Sequence, residues 1–252
     1  MSSPSARPQH VASRSTNLLA FDTSTDTMSI ALQRGTGKAV TLFQHTAAGG
    51  AQTSTHLIPE IQRLMALAQL HFADLNAIVF GAGPGSFTGL RTACSVAQGL
   101  AFGAAVPVLP VDTLLAVAEE ARWQTGNAQT FAVTALLDAR MDELYTADYS
   151  FDLGAWTQGK SCRLIKPEQL GWNGSDVLAG NVFDSYGARL PGQATRITAL
   201  PTATALLRLA PALLAAGAAV PAEQALPTYI RDKVAQTTQE RVIAKALAGV
   251  AP

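Results

Sequence analysis

A glycine-rich stretch, GAGPGSFTGLR at residues 81–91, has the composition of a ligand-binding loop. It follows the apolar run 75–80 and precedes a helix-like segment, and such a strand–loop–helix corner often binds phosphate. The phosphate-binding motifs nevertheless do not match. No lysine follows the glycines as in a P-loop, and the third glycine of a dinucleotide fingerprint is missing at residues 86 and 88. The spacing therefore predicts a tight corner that lacks the usual phosphate-binding residues.

Two side chains at this corner could do chemistry. Ser86 directly follows a glycine, which is not the spacing of a nucleophile elbow, and no His/Asp partner can be named. We therefore predict that Ser86 is the N-cap of the following helix. Arg91 lies one turn into that helix, where it could pair with a carboxylate of a partner, meet an anion at the loop, or remain solvated.

The cysteines and histidines do not have the spacing of a metal site. Cys94 and Cys162 are far apart, and the four histidines form neither HExxH nor finger spacing. His56 and Glu60 share one helix face, but a third ligand is missing. We expect free thiols, no metal, and His56 at a helix start.

The composition excludes several classes of protein. With 252 residues, 48% apolar and 14% charged, the chain can bury one large core or two modest ones. Its formal net charge is zero, so no general basic field attracts nucleic acid. Polar residues or prolines interrupt the apolar stretches 93–111 and 204–220, which favours protein core over membrane span.

The first 16 residues are rich in serine and proline and have no apolar signal region. We expect a flexible tail. Arg7 and Arg14, without acidic neighbours, leave a transit peptide as the alternative.

Hydrophobic periodicity predicts the elements that position the corner. Three strands from residue 17 onward should form an antiparallel meander. We then predict helices at 55–70, 87–103, 113–122 and 203–217, and strands at 75–80, 106–111, 130–137, 143–149 and 177–181. The strand-then-helix order recurs near residues 17 and 130, which indicates two similar α/β halves.

The two helices nearest the corner suggest an interaction with another protein. In helix 55–70, Ile58 and Leu67 lie off the main apolar stripe, so the helix has a second apolar side for another domain or a partner, and we favour the partner. Helix 87–103 is rich in glycine and alanine, which lets another helix approach closely.

Several motifs together resemble the bacterial TsaB (YeaZ) family, the dimerisation subunit of the machinery that makes threonylcarbamoyladenosine at position 37 of tRNA. They are LLAFDTSTDTMSIAL at 18–32, THLIPEIQRLM at 55–65, GAGPGSFTGLRTACSVAQGLA at 81–101, LLDARMDELY at 136–145 and PTYIRDKVA at 227–235. The resemblance thus extends over about residues 17 to 235.

The resemblance implies an actin-like fold of two α/β lobes, each a mixed sheet with flanking helices. We expect a first lobe at 17–112, completed by the helix at 203–220, a second lobe at 113–202, and a C-terminal segment at 221–252. The family's signature loop falls on Gly83, Pro84, Gly85, Ser86, Phe87, Thr88, Gly89 and Arg91.

Two sites of the wider superfamily are degenerate here. In actin-like ATPases an Asp-x-Gly phosphate loop follows the first strand, whereas Asp22-Thr23-Ser24 puts a side chain in that space. The alternative is that this turn simply caps a hairpin. The metal-binding histidines of the catalytic paralogue TsaD align with Thr113 and Val117, which cannot hold a metal.

The resemblance therefore implies a non-catalytic cytoplasmic subunit that pairs with a TsaD-like transferase and works with a TsaE-like ATPase. It leaves open a homodimer of the isolated chain, a nucleotide at the shared interface, and contact with tRNA through the complex or through Arg231, Lys233, Arg241 and Lys245. We expect no cofactor and no membrane contact. The alternative is an enzyme in its own right, an actin-like kinase or ATPase or a metallopeptidase. The expected interface residues are His56, Leu57, Ile61, Leu64, Met65, Leu90, Ala93 and Ala97.

Overall fold

The computed structural model describes residues 16–36, 39–171 and 177–231. The tail at 1–15 and the tail residues Lys233, Arg241 and Lys245 lie outside these ranges. Among the described residues, the first lobe contains five strands and two α-helices before its connection to the second. They are β1 (Leu18–Asp22), β2 (Thr27–Thr36), β3 (Ala39–Ala48), α1 (Thr53–Leu67), β4 (Ala77–Gly83), α2 (Phe87–Ala104) and β5 (Val108–Asp112).

The first sheet has the strand order β3-β2-β1-β4-β5. The first three strands pair antiparallel, which confirms the predicted meander, and β4 runs parallel to both β1 and β5. Every residue of β1 and β4 is buried, as expected for central strands that are covered on both faces. Because β1 and β4 are parallel neighbours, the turn after β1 and the glycine loop after β4 leave the sheet at the same edge.

The second lobe repeats this arrangement. It contains α3 (Thr113–Gln124), β6 (Phe131–Asp138), β7 (Leu144–Asp152), β8 (Ala155–Gln158), β9 (Arg163–Ile165), β10 (Val177–Gly180), α4 (Phe183–Tyr186) and β11 (Thr195–Thr198). Its sheet has the order β11-β10-β6-β7-β8, with β9 also pairing with β7. In each sheet the first strand of an antiparallel hairpin also pairs in parallel with a later strand, so the two halves share one topology.

Helices cover both faces of the first sheet. On one face, α1 and α2 pack against residues such as Phe21, Ile30 and Phe80. On the other face lies α5 (Ala203–Ala215), whose buried side chains contact residues of β1, β4 and β5. The last α-helix of the described residues therefore packs on the first sheet, and its bounds lie within the predicted helix at 203–217.

Most predicted elements are present with shifted bounds. Helix α1 begins at Thr53 rather than 55, so Pro59 lies in its second turn with its ring exposed. Helix α5 continues through Pro211. The short strands β8, β9 and β11 have three or four residues each and were not predicted. Within the described ranges, no helix has the length and apolar character needed to cross a bilayer.

A buried carboxylate ties the two lobes together. Glu119 of α3 is 2% exposed and accepts hydrogen bonds from Arg122 Nε (2.9 Å), Arg208 Nε (2.9 Å) and Trp156 Nε1 (3.0 Å). These partners belong to α3, α5 and β8. One carboxylate is thus bonded to elements that pack on different sheets.

Replacing Glu119 tests the importance of this junction. Glu119→Ala leaves two guanidinium groups and an indole N–H without their acceptor, and we expect the free energy of unfolding to fall by about 3 kcal/mol in urea titrations. The exposed Glu223 provides the control, and Glu223→Ala should unfold at the parent's urea midpoint. Equal midpoints for the two variants would contradict the structural role of Glu119.

Candidate functional site

The glycine loop closes directly on the turn that follows β1. The backbone N–H of Ser86 donates to the carbonyl oxygen of Ser24 at 2.7 Å, and Thr23 Oγ1 donates to the carbonyl oxygen of Gly89 at 2.7 Å. Both Thr23 and Ser24 are buried. The space in which a phosphate loop would bind its ligand is therefore occupied by contacts between two parts of the same chain.

These contacts explain three of the glycines. A Cβ at Gly85 would lie 2.6 Å from both Cβ and O of Ser24. A Cβ at Gly81 would overlap the carboxylate of Asp22, and one at Gly89 would overlap the carbonyl oxygen of Thr23. These three glycines are thus required by the turn at 22–24, which lies against them.

Ser86 occupies the predicted N-cap position of α2, but its side chain makes no capping hydrogen bond. The N-cap prediction is therefore confirmed in position and wrong in mechanism. The backbone of Ser86 is engaged instead, because its N–H is bonded to Ser24. The preceding peptide, Gly83–Pro84, is cis.

Asp22 is a buried carboxyl group in the centre of this contact. Its Oδ1 accepts hydrogen bonds from the backbone N–H (2.9 Å) and the hydroxyl (2.7 Å) of Ser24, which is the hairpin-turn role that the sequence suggested. Its Oδ2 is buried without a hydrogen-bond partner. Burial raises the pKa of Asp22 from 3.8 to about 7, because the charged form is poorly solvated there, and the two bonds from Ser24 offset only part of this effect.

The structure corrects the expected interface residues. Seven of the eight side chains, those at 57, 61, 64, 65, 90, 93 and 97, are at most 3% exposed and pack in the chain's own core, so they are not available to a partner. Six of them form the faces of α1 and α2 that cover the first sheet, and Leu90 borders the cleft described below. His56 alone of this set is exposed, and its Nε2 lies 3.2 Å from Gln52 Oε1.

Other side chains form the outer face of these helices. Ile58 is 41% exposed and Leu67 56%, which confirms that α1 has a second apolar side. At the start of α2, Phe87 is 36% exposed and lies beside an open groove. We call this surface the α1–α2 groove; its lining residues are Ser54, Phe87, Thr88, Arg91, Thr92, Ser95 and Val96.

Arg91 is exposed, which is compatible with the solvated alternative, and it also has contacts within the chain. Its guanidinium carbon lies 3.8 Å from the centre of the Phe87 ring, and its Nε donates to the hydroxyl of Tyr229 at 3.0 Å. The side chain is thus placed by a cation–π contact and by the C-terminal segment.

The residues considered as metal ligands in the sequence are buried or hydrogen-bonded to other groups of the chain. Thr113 and Val117 are fully buried in α3, where Thr113 Oγ1 accepts a hydrogen bond from the backbone of Gly83 at 2.9 Å. Glu60 accepts from Arg63 Nε at 2.7 Å. Among the residues that the structure describes, no three His, Cys, Asp or Glu side chains come together as a possible metal site.

A cleft of about 300 Å³ lies between the lobes, beside the signature loop. Its walls include Ser24 and Ser86 from the first lobe and Asp138, Tyr145 and Asn181 from the second. Residues 228–231 also line it, and the sequence did not predict their contact with the loop. The motif PTYIR at residues 227–231 marked this segment as noteworthy in the sequence, but the motif does not indicate which residues it contacts.

The glycine contacts can be tested with a matched pair of substitutions. Gly85→Ala forces the turn at Ser24 to shift, so we expect a loss of about 1–3 kcal/mol in unfolding free energy by urea titration. Gly99→Ala lies in α2 with nothing within 4 Å, so it should gain about 1 kcal/mol from higher helix propensity. A Gly85→Ala variant as stable as the parent would contradict the close contact between Gly85 and Ser24.

The raised pKa of Asp22 predicts a dependence of stability on pH. The unfolded chain releases this proton near pH 3.8 and the folded chain near pH 7, so this group lowers the parent's stability as pH rises between those values. Asp22→Asn removes this dependence. Relative to the parent, the variant should gain up to about 4 kcal/mol between pH 4 and pH 8.

Urea titrations at several pH values measure this difference, and Asp152→Asn, at the exposed end of β7, is the control. A difference between Asp22→Asn and the parent that does not change with pH would contradict the buried, protonated carboxyl group.

Comparisons with known proteins agree with this architecture. The family model described as "TsaD: tRNA N6-adenosine threonylcarbamoyltransferase" matches residues 44–247. The TsaB proteins of Escherichia coli and Haemophilus influenzae are 34% and 33% identical over 231 residues, which is 86% of this chain in each case and 96% and 94% of the relatives. Both carry the name "tRNA threonylcarbamoyladenosine biosynthesis protein TsaB".

The solved structure of YeaZ from Pseudomonas aeruginosa superposes with a TM-score of 0.76 at 36% identity and covers 85% of this chain and 99% of that one. A second structure from the same organism, with 36% identity and the same TM-score, is titled as similar to "peptidase YEAZ". The expected two-lobed actin-like fold is confirmed. On sequence and structure alike, this chain belongs to the TsaB (YeaZ) family.

Proposed function

We propose that this chain is a non-catalytic subunit for threonylcarbamoyl modification of adenosine 37 in tRNA, and that it acts by pairing with a TsaD-like transferase. The observation that carries this proposal is the near full-length similarity to proteins named for that biosynthesis. The match to the TsaD family model supports the choice of partner.

The corner supports a subunit without chemistry of its own. A phosphate at the turn after β1 would have to displace Ser24, whose carbonyl oxygen and Cβ lie against the loop. Asp22 is buried and its pKa is about 7, so it is a poor ligand for a cation at neutral pH. These features favour a corner that shapes the fold.

The α1–α2 groove is the surface we assign to the transferase. It joins an aromatic ring, an arginine and small polar residues, a composition that suits a protein contact. It also lies on the outer faces of the two helices whose inner faces pack on the first sheet. The expected pairing through these helices is retained, with the exposed side chains in place of the buried ones.

The proposal has further parts. A TsaE-like ATPase completes the assembly, the isolated chain pairs with a second copy through the same groove, and the complex works in the cytoplasm. Nucleotide binding at the shared interface and contact with tRNA belong to the assembled complex.

Substitutions in the groove test the docking surface. Ser95 is exposed in the groove, so Ser95→Arg adds a long charged side chain to the contact, and we expect affinity for the transferase to fall at least about tenfold in titration calorimetry. Thr157→Arg, exposed on β8 in the other lobe, is the matched control and should bind as the parent does. Equal binding by both variants would place the contact elsewhere.

The function itself is tested by reconstitution. Modified adenosine formed by the transferase and the ATPase is measured with the parent chain, with Ser95→Arg, and without the chain. We expect strong product formation only with the parent. Full activity without the chain would reject the proposal, and peptide or nucleotide turnover by the isolated chain would favour an independent enzyme.

A further inference from the structure

The C-terminal segment is bound along α2 before it reaches the cleft. Val220 pairs with Val108 at the start of β5 through two backbone hydrogen bonds of 2.9 and 2.8 Å. Farther on, the carbonyl oxygen of Ala225 accepts from both Gln98 Nε2 (2.8 Å) and Cys94 Sγ (3.3 Å). The segment is therefore held on the first lobe up to the edge of the cleft.

At that edge the segment binds the signature loop. The N–H of Thr228 donates to the carbonyl oxygen of Ala82 at 2.7 Å. A Cβ at Gly83 would lie 2.6 Å from the carbonyl oxygen of Thr228, and Gly83 has a φ of +119°. Both the space and the backbone conformation thus require glycine at this position.

The next residue joins the segment to the start of α2. The ring of Tyr229 lies 5.3 Å from that of Phe87, and its hydroxyl accepts from Arg91. Phe87 and Arg91 both line the α1–α2 groove. The segment therefore sets the positions of two groove side chains.

The last described residues contact the second lobe. Ile230 packs against its core cluster. Arg231 donates to Glu143 Oε2 at 2.5 Å and to the carbonyl oxygen of Ala139 at 3.1 Å. In six residues the chain passes from contacts with the first lobe to contacts with the second.

The loop that receives Arg231 is strained. Arg140, Met141 and Asp142 have φ values of +61°, +54° and +64°, a left-handed conformation that costs L-residues roughly 1–2 kcal/mol each. Such strain persists only where the surroundings enforce it. Here Arg231 donates to the carbonyl oxygen of Ala139 and Arg189 pairs with Asp142, while Arg140 reaches across the cleft to Asp26.

We propose that residues 226–231 form a clasp across the mouth of the cleft, which fixes the angle between the two lobes and holds the docking face on α2 in its binding arrangement. Closure of the lobes and binding of the transferase at the α1–α2 groove are then coupled, because both depend on this segment. The coupling rests on the proposed function, whereas the clasp itself is a property of the isolated chain.

The experiment opens the clasp at either end. Arg231→Ala removes the anchor on the second lobe, and Tyr229→Ala removes the contact with Phe87 and Arg91. Leu226→Ala is the matched control, because that side chain lies in the same segment and is 68% exposed. Circular dichroism and thermal melts verify that each variant is folded.

The lobe angle is measured as the distance between spin labels at Thr41→Cys on β3 and Thr157→Cys on β8, both exposed and in different lobes, in a Cys162→Ala background. The parent and Leu226→Ala should give one narrow distribution, and both clasp variants a broader one. Affinity for the TsaD-like transferase should fall about tenfold in the clasp variants.

The outcomes separate the two proposals. Narrow distributions in both clasp variants would overturn the clasp. Broad distributions with unchanged affinity would overturn the coupling. A parent chain that does not bind the transferase at all would overturn the proposed function, while the label distances would still decide whether the clasp exists.

Discussion

The close approach of two backbone segments, the turn at 22–25 and the loop at 81–89, determines how the first lobe is built. Two parallel neighbouring strands deliver these segments to one edge, where they bind each other instead of a ligand. Side chains larger than hydrogen cannot be accommodated at Gly81, Gly85 or Gly89. The direction in which α2 leaves the sheet follows from this contact, and so does the position of the groove on its outer face.

The longer strands and helices could be predicted because burial of one or both of their faces leaves a regular pattern of apolar residues in the sequence. Strands β1 and β4 are apolar on both faces, and α1 and α2 show a helical stripe that packs on the sheet. The strands β8, β9 and β11 were not predicted because they are short and mostly half-buried or exposed. Their sequences therefore show little alternation of apolar and polar residues. The corner was recognised, but what fills it depends on a contact between residues about 60 positions apart.

The partner surface shows where periodicity misleads. A regular apolar stripe on a helix marks the side that faces the nearest large apolar surface, and for α1 that surface is the chain's own sheet. The informative residues were those off the stripe, Ile58 and Leu67, which remain exposed. The Arg91–Phe87–Tyr229 arrangement could not be foreseen, since it joins residues 138 positions apart in sequence.

The chain passes between the lobes at three places: from β5 into α3, from β11 into α5, and along residues 226–231. Two bodies joined at two points keep one free rotation about the line through those points. The side-chain contacts of Glu119 with Arg208 and of Arg140 with Asp26 oppose that rotation, and residues 226–231 add a third backbone crossing to them. The two halves with matching strand order thus behave as a single plate through several separate attachments, of which the last is the final described stretch of the chain.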